Sequence, residues 1–371
     1  MASHYLIGVL LVAWFHLAVT GQARPSDPQP VKTYNVSFDD DPSVRWNQVL
    51  DDHRVYLPDI FQFISEYVPS EYIPILRQIA LDIETLLPDT YAKEIIGVAQ
   101  YWGMNTADVI MLNIVYDFTA YCTSIVAQDT NGTIWHARNL DYDDPDLLRN
   151  LTVSVNFQRG GQTLYTATTY AGYVGVLTGQ KPNAFTITID QRGVPRMHQG
   201  YWWENILVAI LDKSASFVSF LVRQTLEESP DFNSAVDHLS TTVIHAPAYI
   251  IVGGTQKGEG VIITRDRLAA VDRYYLNLLE GRWYVLETNY DHWTTPPPDD
   301  DRRTAGEGAM NKLGQAGINV VSLFNVLSTP LVLNSNTTYS IVMSAVNPQV
   351  YKAQVRWTPA KWPASGINNF R

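Results

Sequence analysis

The chain has 371 residues, 46% hydrophobic and 12% aromatic, with a formal net charge of -11 and a pI near 5.1. That composition is globular, and without a basic stripe to neutralise phosphates it excludes nucleic acid as the partner. The acidic balance also fits an acidic compartment, where carboxylates near their reference pKa of about 4 lose part of their mutual repulsion.

Leu6 to Val19 is an apolar run that ends in small residues around Gly21. It has the length of a signal-peptide core and is too short to span a bilayer, although no Lys or Arg precedes it. Residues 1–21 are therefore set apart from the fold, and no later run approaches a spanning length. The remainder, roughly 350 residues, suits one large domain or two ordinary ones. N-x-S/T sequons at Asn35, Asn131, Asn150 and Asn336 cohere with passage through the secretory pathway, to a lysosomal or secreted destination.

From about Pro58 to Phe118 apolar residues recur at threes and fours, as at Ile75, Ile79, Ile83 and Leu86, which predicts helices. Asn105 with Asp108 reads as an N-cap and its acidic partner, opening a helix that buries Val109, Leu112 and Tyr116. After Cys122 the pattern becomes strand-like, over 123–127, 133–138, 151–157, 163–169, 185–189, 249–252, 261–264 and 283–288. Helices are expected at about 203–211, 218–227 and 322–327. Strands bracketing helices in this order indicate an α+β architecture of sheets covered by helices.

Cys122 is the only cysteine. In an exported chain it has no internal disulfide partner, so it is either a buried filler or a reagent. Asn131-Gly132 between two apolar runs is a hairpin signal. With a two-residue loop, the register places Asp141 opposite Cys122 on one face and Arg138 on the other; a one-residue change of loop length exchanges the two. A nucleophilic thiol needs a base, since its reference pKa of about 8.5 leaves little thiolate. His136 across the hairpin is one candidate. The other is the α-amine that Cys122 gains if the Tyr121–Cys122 bond is cut. No spacing of ligand residues indicates a metal, and no phosphate loop or other cofactor motif is present.

Tyr121-Cys122-Thr123-Ser124-Ile125-Val126, followed by His136-Ala137-Arg138-Asn139-Leu140-Asp141-Tyr142, resembles the N-terminal-nucleophile lipid amidases, which include N-acylethanolamine-hydrolysing acid amidase and acid ceramidase. Further matches run in order: Ala171 to Gly175, Trp202-Trp203-Glu204-Asn205, Tyr249 to Gly254, Glu287 to Trp293, and Asp300-Asp301-Arg302-Arg303. The resemblance implies a four-layer αββα sandwich and an inactive precursor that cuts itself between Tyr121 and Cys122. A helical α-subunit, residues 22–121, and a catalytic β-subunit, residues 122–371, would then stay together as a heterodimer. It implies Cys122 as nucleophile, Asp141 holding the new α-amine, Arg138 steadying Asp141 and the substrate carbonyl region, and Asn289 donating to the oxyanion. Where relatives carry a glutamate, this chain has Gln191 in Asp190-Gln191-Arg192, which is expected to blunt an acid response. The implied substrate is a fatty-acyl amide, with N-acylethanolamines favoured by Trp202-Trp203-Glu204-Asn205 and the compact 141–151 segment, and ceramide as the alternative. Outside the family stand a papain-like protease, using Cys122 with His245 and Asn289, and a lipid carrier without chemistry. Apolar residues Ile60, Phe63, Ile64, Tyr72 and Ile73 are read as packing, or as a peripheral membrane-docking face.

Overall fold

A computed structural model of the chain describes residues 28–67, 74, 77–78, 87–115, 121–142, 145–193 and 215–357. The expected signal segment, the Ile75 to Leu86 periodicity, Tyr72, Ile73, Tyr116, the 203–211 helix and Trp202-Trp203 lie outside the described residues. Among those described, no helix is long and apolar enough to cross a membrane.

Two sheets form the centre. The first has the order β1 (Gln29–Pro30), β14 (Tyr351–Val355), β13 (Thr337–Met343), β4 (Ile134–Asp141), β3 (Tyr121–Gln128) and β12 (Tyr284–Glu287). The second runs β11 (Ala270–Tyr275), β10 (Gly260–Arg265), β9 (Ala248–Gly253), β8 (Phe185–Gln191), β7 (Thr178–Lys181), β6 (Gln162–Tyr170), β5 (Thr152–Arg159) and β2 (Thr33–Ser37). Every strand predicted from the sequence is found. The alternation of side chains along a strand then sorts each sheet into two faces. Ile125, Ala127 and Ala137 lie under α8 (Arg302–Leu313) and α9 (Val320–Leu327), packing with Met310, Leu323, Val326 and Leu327. Val126 and Ile134 face the second sheet at Tyr249, Ile251 and Ile262. Phe185, Ile187 and Ile189 of β8 join the large core formed with α5 (Pro145–Leu151), α6 (Val218–Glu228) and α7 (Phe232–Thr241). The layers are therefore helix, sheet, sheet, helix, as the αββα expectation requires.

The segment before Cys122 is woven into both sheets. Gln29 and Pro30 pair with Val355 and Gln354, and Thr33 to Ser37 run parallel to Ser154 to Gln158. Its helices α1 (Asn47–Asp52), α2 (Leu57–Tyr67), α3 (Asp89–Trp102) and α4 (Thr106–Val115) close over the large core. Trp46 meets Phe157 edge-on and Tyr91 stacks on Phe220. Asn105 caps α4 as expected, its Oδ1 accepting from Ala107 N–H at 2.9 Å. Ile60, Phe63 and Ile64 are buried in this core, so these three do not form an exposed docking face.

Across the boundary, Glu94 of α3 is fully buried between two guanidinium groups. It accepts from Arg45 Nη1 (2.9 Å), Trp46 Nε1 (2.7 Å), and Arg223 Nη1 and Nη2 (2.6 and 2.8 Å). A buried carboxylate with four short donors offsets the cost of its own desolvation, which an unpaired one cannot.

Candidate active site

The β3–β4 hairpin positions the cysteine, and its register differs from the two-residue-loop expectation. Cys122 pairs with Leu140, Tyr121 with Asp141, and Ser124 with Arg138. The reason is the loop. The Asp129 carboxylate accepts the N–H groups of Asn131 and Thr133, both at 2.9 Å, and Asp129 N–H donates to the Thr133 carbonyl. That closes three residues, Thr130 to Gly132, with Gly132 in the left-handed region at φ +91°, a longer hairpin loop than the Asn-Gly type I′ turn. The extra residue exchanges the two side chains. Arg138 therefore shares the face of Cys122, and Asp141 falls on the other.

Cys122 is completely buried. Arg138 Nη2 lies 2.9 Å from its Sγ, and the same nitrogen donates to the Ile189 carbonyl at 2.6 Å. Nη1 donates to the Leu177 carbonyl and to Thr178 Oγ1. The guanidinium is thus clamped by β7 and β8 and aimed at the sulfur. Burial pushes the thiol up to about 12, against the pull of Arg138, so Cys122 in this uncut chain is a neutral thiol.

The Cys122 backbone is held as tightly as its side chain. Cys122 N–H donates to Asn289 Oδ1 at 2.9 Å, and the Cys122 carbonyl accepts from Arg302 Nη1 at 2.5 Å. Arg302 Nη2 donates to the same Asn289 Oδ1 at 2.7 Å, while Asn289 Nδ2 donates to the Gln191 carbonyl at 2.7 Å. Two donors on Oδ1 fix which way the amide points. Asp141 reaches this group through Arg302, whose Nη1 is 3.6 Å from Asp141 Oδ2, and it accepts from Asn334 Nδ2 at 2.9 Å. Burial raises the Asp141 carboxyl above its ordinary range, and Arg302 opposes the shift.

Three of the four candidate residues, Cys122, Arg138 and Asn289, thus converge, and the fourth joins at one remove. Arg302 was missed as a site residue: its signal was the Asp300-Asp301-Arg302-Arg303 run, but nothing in a charged tetrad says that its third member is buried. Asp190 and Ser124 were also missed. They sit on the inner face next to Arg138, with Asp190 Oδ1 2.7 Å from Ser124 Oγ and 3.9 Å from Arg138 Nη2. The readable signal was alternation, Phe185-Ile187-Ile189 apolar against Thr186-Thr188-Asp190 polar. His136 does not contact Cys122. It lies fully buried between Thr186 and Thr188, and His245 packs against Phe217, its ring tilted at 54°, instead of serving the thiol. Gln191 closes β8 and contributes its backbone carbonyl to the site. Of the sequons, Asn35 and Asn131 are exposed, Asn150 is partly so, and Asn336 is buried.

The profile described as the beta subunit of N-acylethanolamine-hydrolyzing acid amidase matches residues 29–87, and that of linear amide C–N hydrolases, choloylglycine hydrolase family, matches residues 122–323. The N-acylethanolamine-hydrolyzing acid amidase of Cavia porcellus is 42% identical over 90% of this chain and 93% of its own. Acid ceramidase of Bos taurus is 35% identical over 88% and 87%. The solved structure of the Caenorhabditis elegans N-acylethanolamine-hydrolyzing acid amidase ortholog superposes with a TM-score of 0.56 at 40% identity, covering 62% of this chain and 95% of that one. A lone cysteine gripped at nitrogen, carbonyl and sulfur, at the residue where the hydrolase profile begins, agrees with these likenesses: the chain belongs to the choloylglycine-hydrolase family of linear amide C–N hydrolases, among the N-acylethanolamine-hydrolyzing acid amidases and acid ceramidases.

Proposed function

We propose that this protein is a self-processing cysteine amidase that hydrolyses fatty acid ethanolamides to fatty acid and ethanolamine. One observation carries the reading: the amide nitrogen of Cys122 is held by Asn289 Oδ1 while its own sulfur is held by Arg138. In the first reaction Sγ attacks the Tyr121 carbonyl carbon, the C–N bond to Cys122 breaks, and the thiol proton goes to the departing nitrogen. Water then hydrolyses the thioester, leaving a Tyr121 carboxylate and a Cys122 with free thiol and free α-amine. An α-amine of reference pKa about 8 is suited to take the thiol proton in the second reaction.

In that reaction Sγ attacks the lipid amide, the α-amine passes the proton to the leaving ethanolamine nitrogen, and water guided by the same amine releases the acid. Asn289 Oδ1 keeps the amine in place. Its Nδ2, turned from the Gln191 carbonyl, donates to the oxyanion. Arg138 stabilises the thiolate, and Asp141 acts on the amine's surroundings through Arg302 rather than by direct contact. The halves 22–121 and 122–371 remain a heterodimer because β1, β2 and Glu94 belong to one and their partners β14, β5 and Arg223 to the other. Glycans at Asn35 and Asn131, on exposed amides, and a lysosomal or secreted destination complete the reading.

The test is to bring purified precursor to acid pH, sequence the new N-terminus, and compare fatty acid release from palmitoylethanolamide and from ceramide. A fragment starting at Cys122, palmitate from the ethanolamide, and an uncut, inert Cys122→Ala chain are expected. Fully active material with Cys122 still joined to Tyr121 ends the self-processing claim, and hydrolysis of ceramide alone ends the substrate claim.

A further inference from the structure

Arg302 is a buried cation with two contacts at the nucleophile: Nη1 donates to the Cys122 carbonyl at 2.5 Å and Nη2 to Asn289 Oδ1 at 2.7 Å. A guanidinium is a rigid planar fork, so whatever fixes its remaining N–H groups decides where those two point. Asp300 fixes them. Arg302 Nε donates to Asp300 Oδ1 at 2.6 Å, and Nη2 donates to Asp300 Oδ2 at 2.8 Å. The next carboxylate is Asp141, whose Oδ2 is 3.6 Å from Nη1, beyond a hydrogen bond, and whose Oδ1 has no hydrogen-bond partner.

The main chain of Asp300 is held on both sides. Its N–H donates to the Pro297 carbonyl at 3.0 Å, and its carbonyl accepts from the Tyr290 hydroxyl at 3.0 Å. Arg303 binds the same segment: its guanidinium lies 4.4 Å over the Tyr290 ring and donates to the carbonyls of Tyr290, Asp291, His292 and Thr294. The loop that carries Asn289 and the turn that carries Asp300 are therefore tied to each other. The adjacent acid has a different use. Asp301 caps α8, accepting from Thr304 N–H at 3.0 Å, so one member of the acidic pair serves the helix and the other serves Arg302.

We propose that Asp300 is a positioning residue for the reactions at Cys122: by fixing Arg302 it keeps Nη1 on the Cys122 carbonyl and keeps the Asn289 amide turned with Oδ1 toward the cysteine nitrogen. Without that carboxylate the nearest anion to the guanidinium is Asp141, and a turn toward it carries Nη1 off the carbonyl. The two reactions depend on this contact to different degrees. In the uncut chain Cys122 N–H can only donate, so it also orients the amide by donating to Oδ1 at 2.9 Å. The α-amine left by scission can accept as well as donate. Once Nδ2 has left the Gln191 carbonyl for the oxyanion, the contact with Arg302, which only donates, keeps the two ends of the amide apart. Asp300 therefore matters more for lipid hydrolysis than for scission.

This rests on the self-processing reading, and two experiments separate the claims. In the first, scission of purified precursor and hydrolysis of palmitoylethanolamide by the cut protein are timed for Asp300→Asn, whose amide sets a donor against one of the two arginine N–H groups. Scission is expected to slow about tenfold and kcat to fall about a hundredfold with KM nearly unchanged, because the displaced group touches the nucleophile and not the lipid. Asp300→Glu, which restores the charge, is expected to recover most of the loss. Wild-type rates in Asp300→Asn, a loss confined to KM, or Asp300→Glu no faster than Asp300→Asn overturns the proposal. The second experiment needs no reaction: a crystal structure of the uncut Cys122→Ala chain carrying Asp300→Asn is expected to show Arg302 turned onto Asp141. Arg302 still on the main-chain carbonyl of residue 122 overturns the proposal. Wild type that never cuts defeats the self-processing reading alone, because the crystal structure still decides what holds Arg302.

Discussion

Two buried arginine–carboxylate groups in this molecule have opposite designs. At Glu94, both oxygens receive two short donors, and Arg223 lies over the Tyr91 and Phe157 rings at 4.6 and 4.9 Å. At Asp190, the arginine stands 3.9 Å away, gives its hydrogen bonds to carbonyls, Thr178 and a sulfur, and leaves one carboxyl oxygen bare. The first arrangement has one stable state and is structural. The second is under-satisfied, which in a buried site costs stability and is kept where a charge must change or move.

Removing the carboxylate from the satisfied cluster should have the largest effect on the fold. Glu94→Ala strands two buried guanidinium groups and is expected to cost about 3–5 kcal/mol, read by denaturant unfolding of the Cys122→Ala chain. After scission in an otherwise active chain, the same variant should let the halves separate on gel filtration. An unfolding midpoint equal to that of the parent would erase the distinction between the clusters. At the under-satisfied site the effect should fall on rate. Arg138→Ala is expected to slow scission by about a hundredfold to a thousandfold, the loss typical of one preorganised donor. A slowing of less than tenfold would mean that Arg138 is a packing residue like Arg223.

The same contrast predicts how stability follows pH. Glu287, which pairs with Ser124 between β12 and β3, and Asp190 are pushed up by burial to about 8 and about 7. Between the ordinary carboxylate range and those values the folded chain holds protons that the unfolded chain has released, so stability is present at acid pH and lost as pH rises through about 7 to 8. His136 works the other way below its ordinary value, since only the unfolded chain binds its proton there. Two acids outweigh one imidazole. The Cys122→Ala chain should melt at a lower temperature at about pH 8 than at about pH 5, and Glu287→Gln should shrink the difference by on the order of 3 kcal/mol. A variant whose stability changes with pH as steeply as its parent would show that Glu287 does not hold that proton.

Much of this architecture is readable from residue patterns, because strand alternation and helical spacing are local. The eight expected strands, the Asn105 cap and the helices at 218–228 and 320–327 are all present. What escapes has identifiable causes. The helix α8 carries two glycines and little amphipathic character, so only its Asp301 cap, accepting from Thr304 N–H, marks it. The strand β13, Thr337–Met343, is buried on both faces and does not alternate. Arg302 and Arg223 are charged residues in the interior, and their positions depend on partners more than a hundred residues distant, Cys122 and Glu94, that no local pattern joins to them. The site's chemistry was legible at Cys122, Arg138 and Asn289, whereas the face on which Asp141 sits turned on one residue of loop length.

That residue can be tested directly. Gly132 adopts φ +91°, and a Cβ there would press on the Lys257 side chain, which is free to move aside. The cost of Gly132→Ala should therefore come from the backbone, about 1–2 kcal/mol for an L-residue forced into the left-handed region, and Gly132→Asn should recover part of it. Because Asp129 still closes the loop, the register that puts Arg138 beside Cys122 should survive and scission should keep its rate. A variant that unfolds no more easily than its parent would show that the loop is not held in this form. One that stays folded yet stops cutting would show that a two-residue turn, with Asp141 swung onto the cysteine's face, lies close in energy to the observed hairpin.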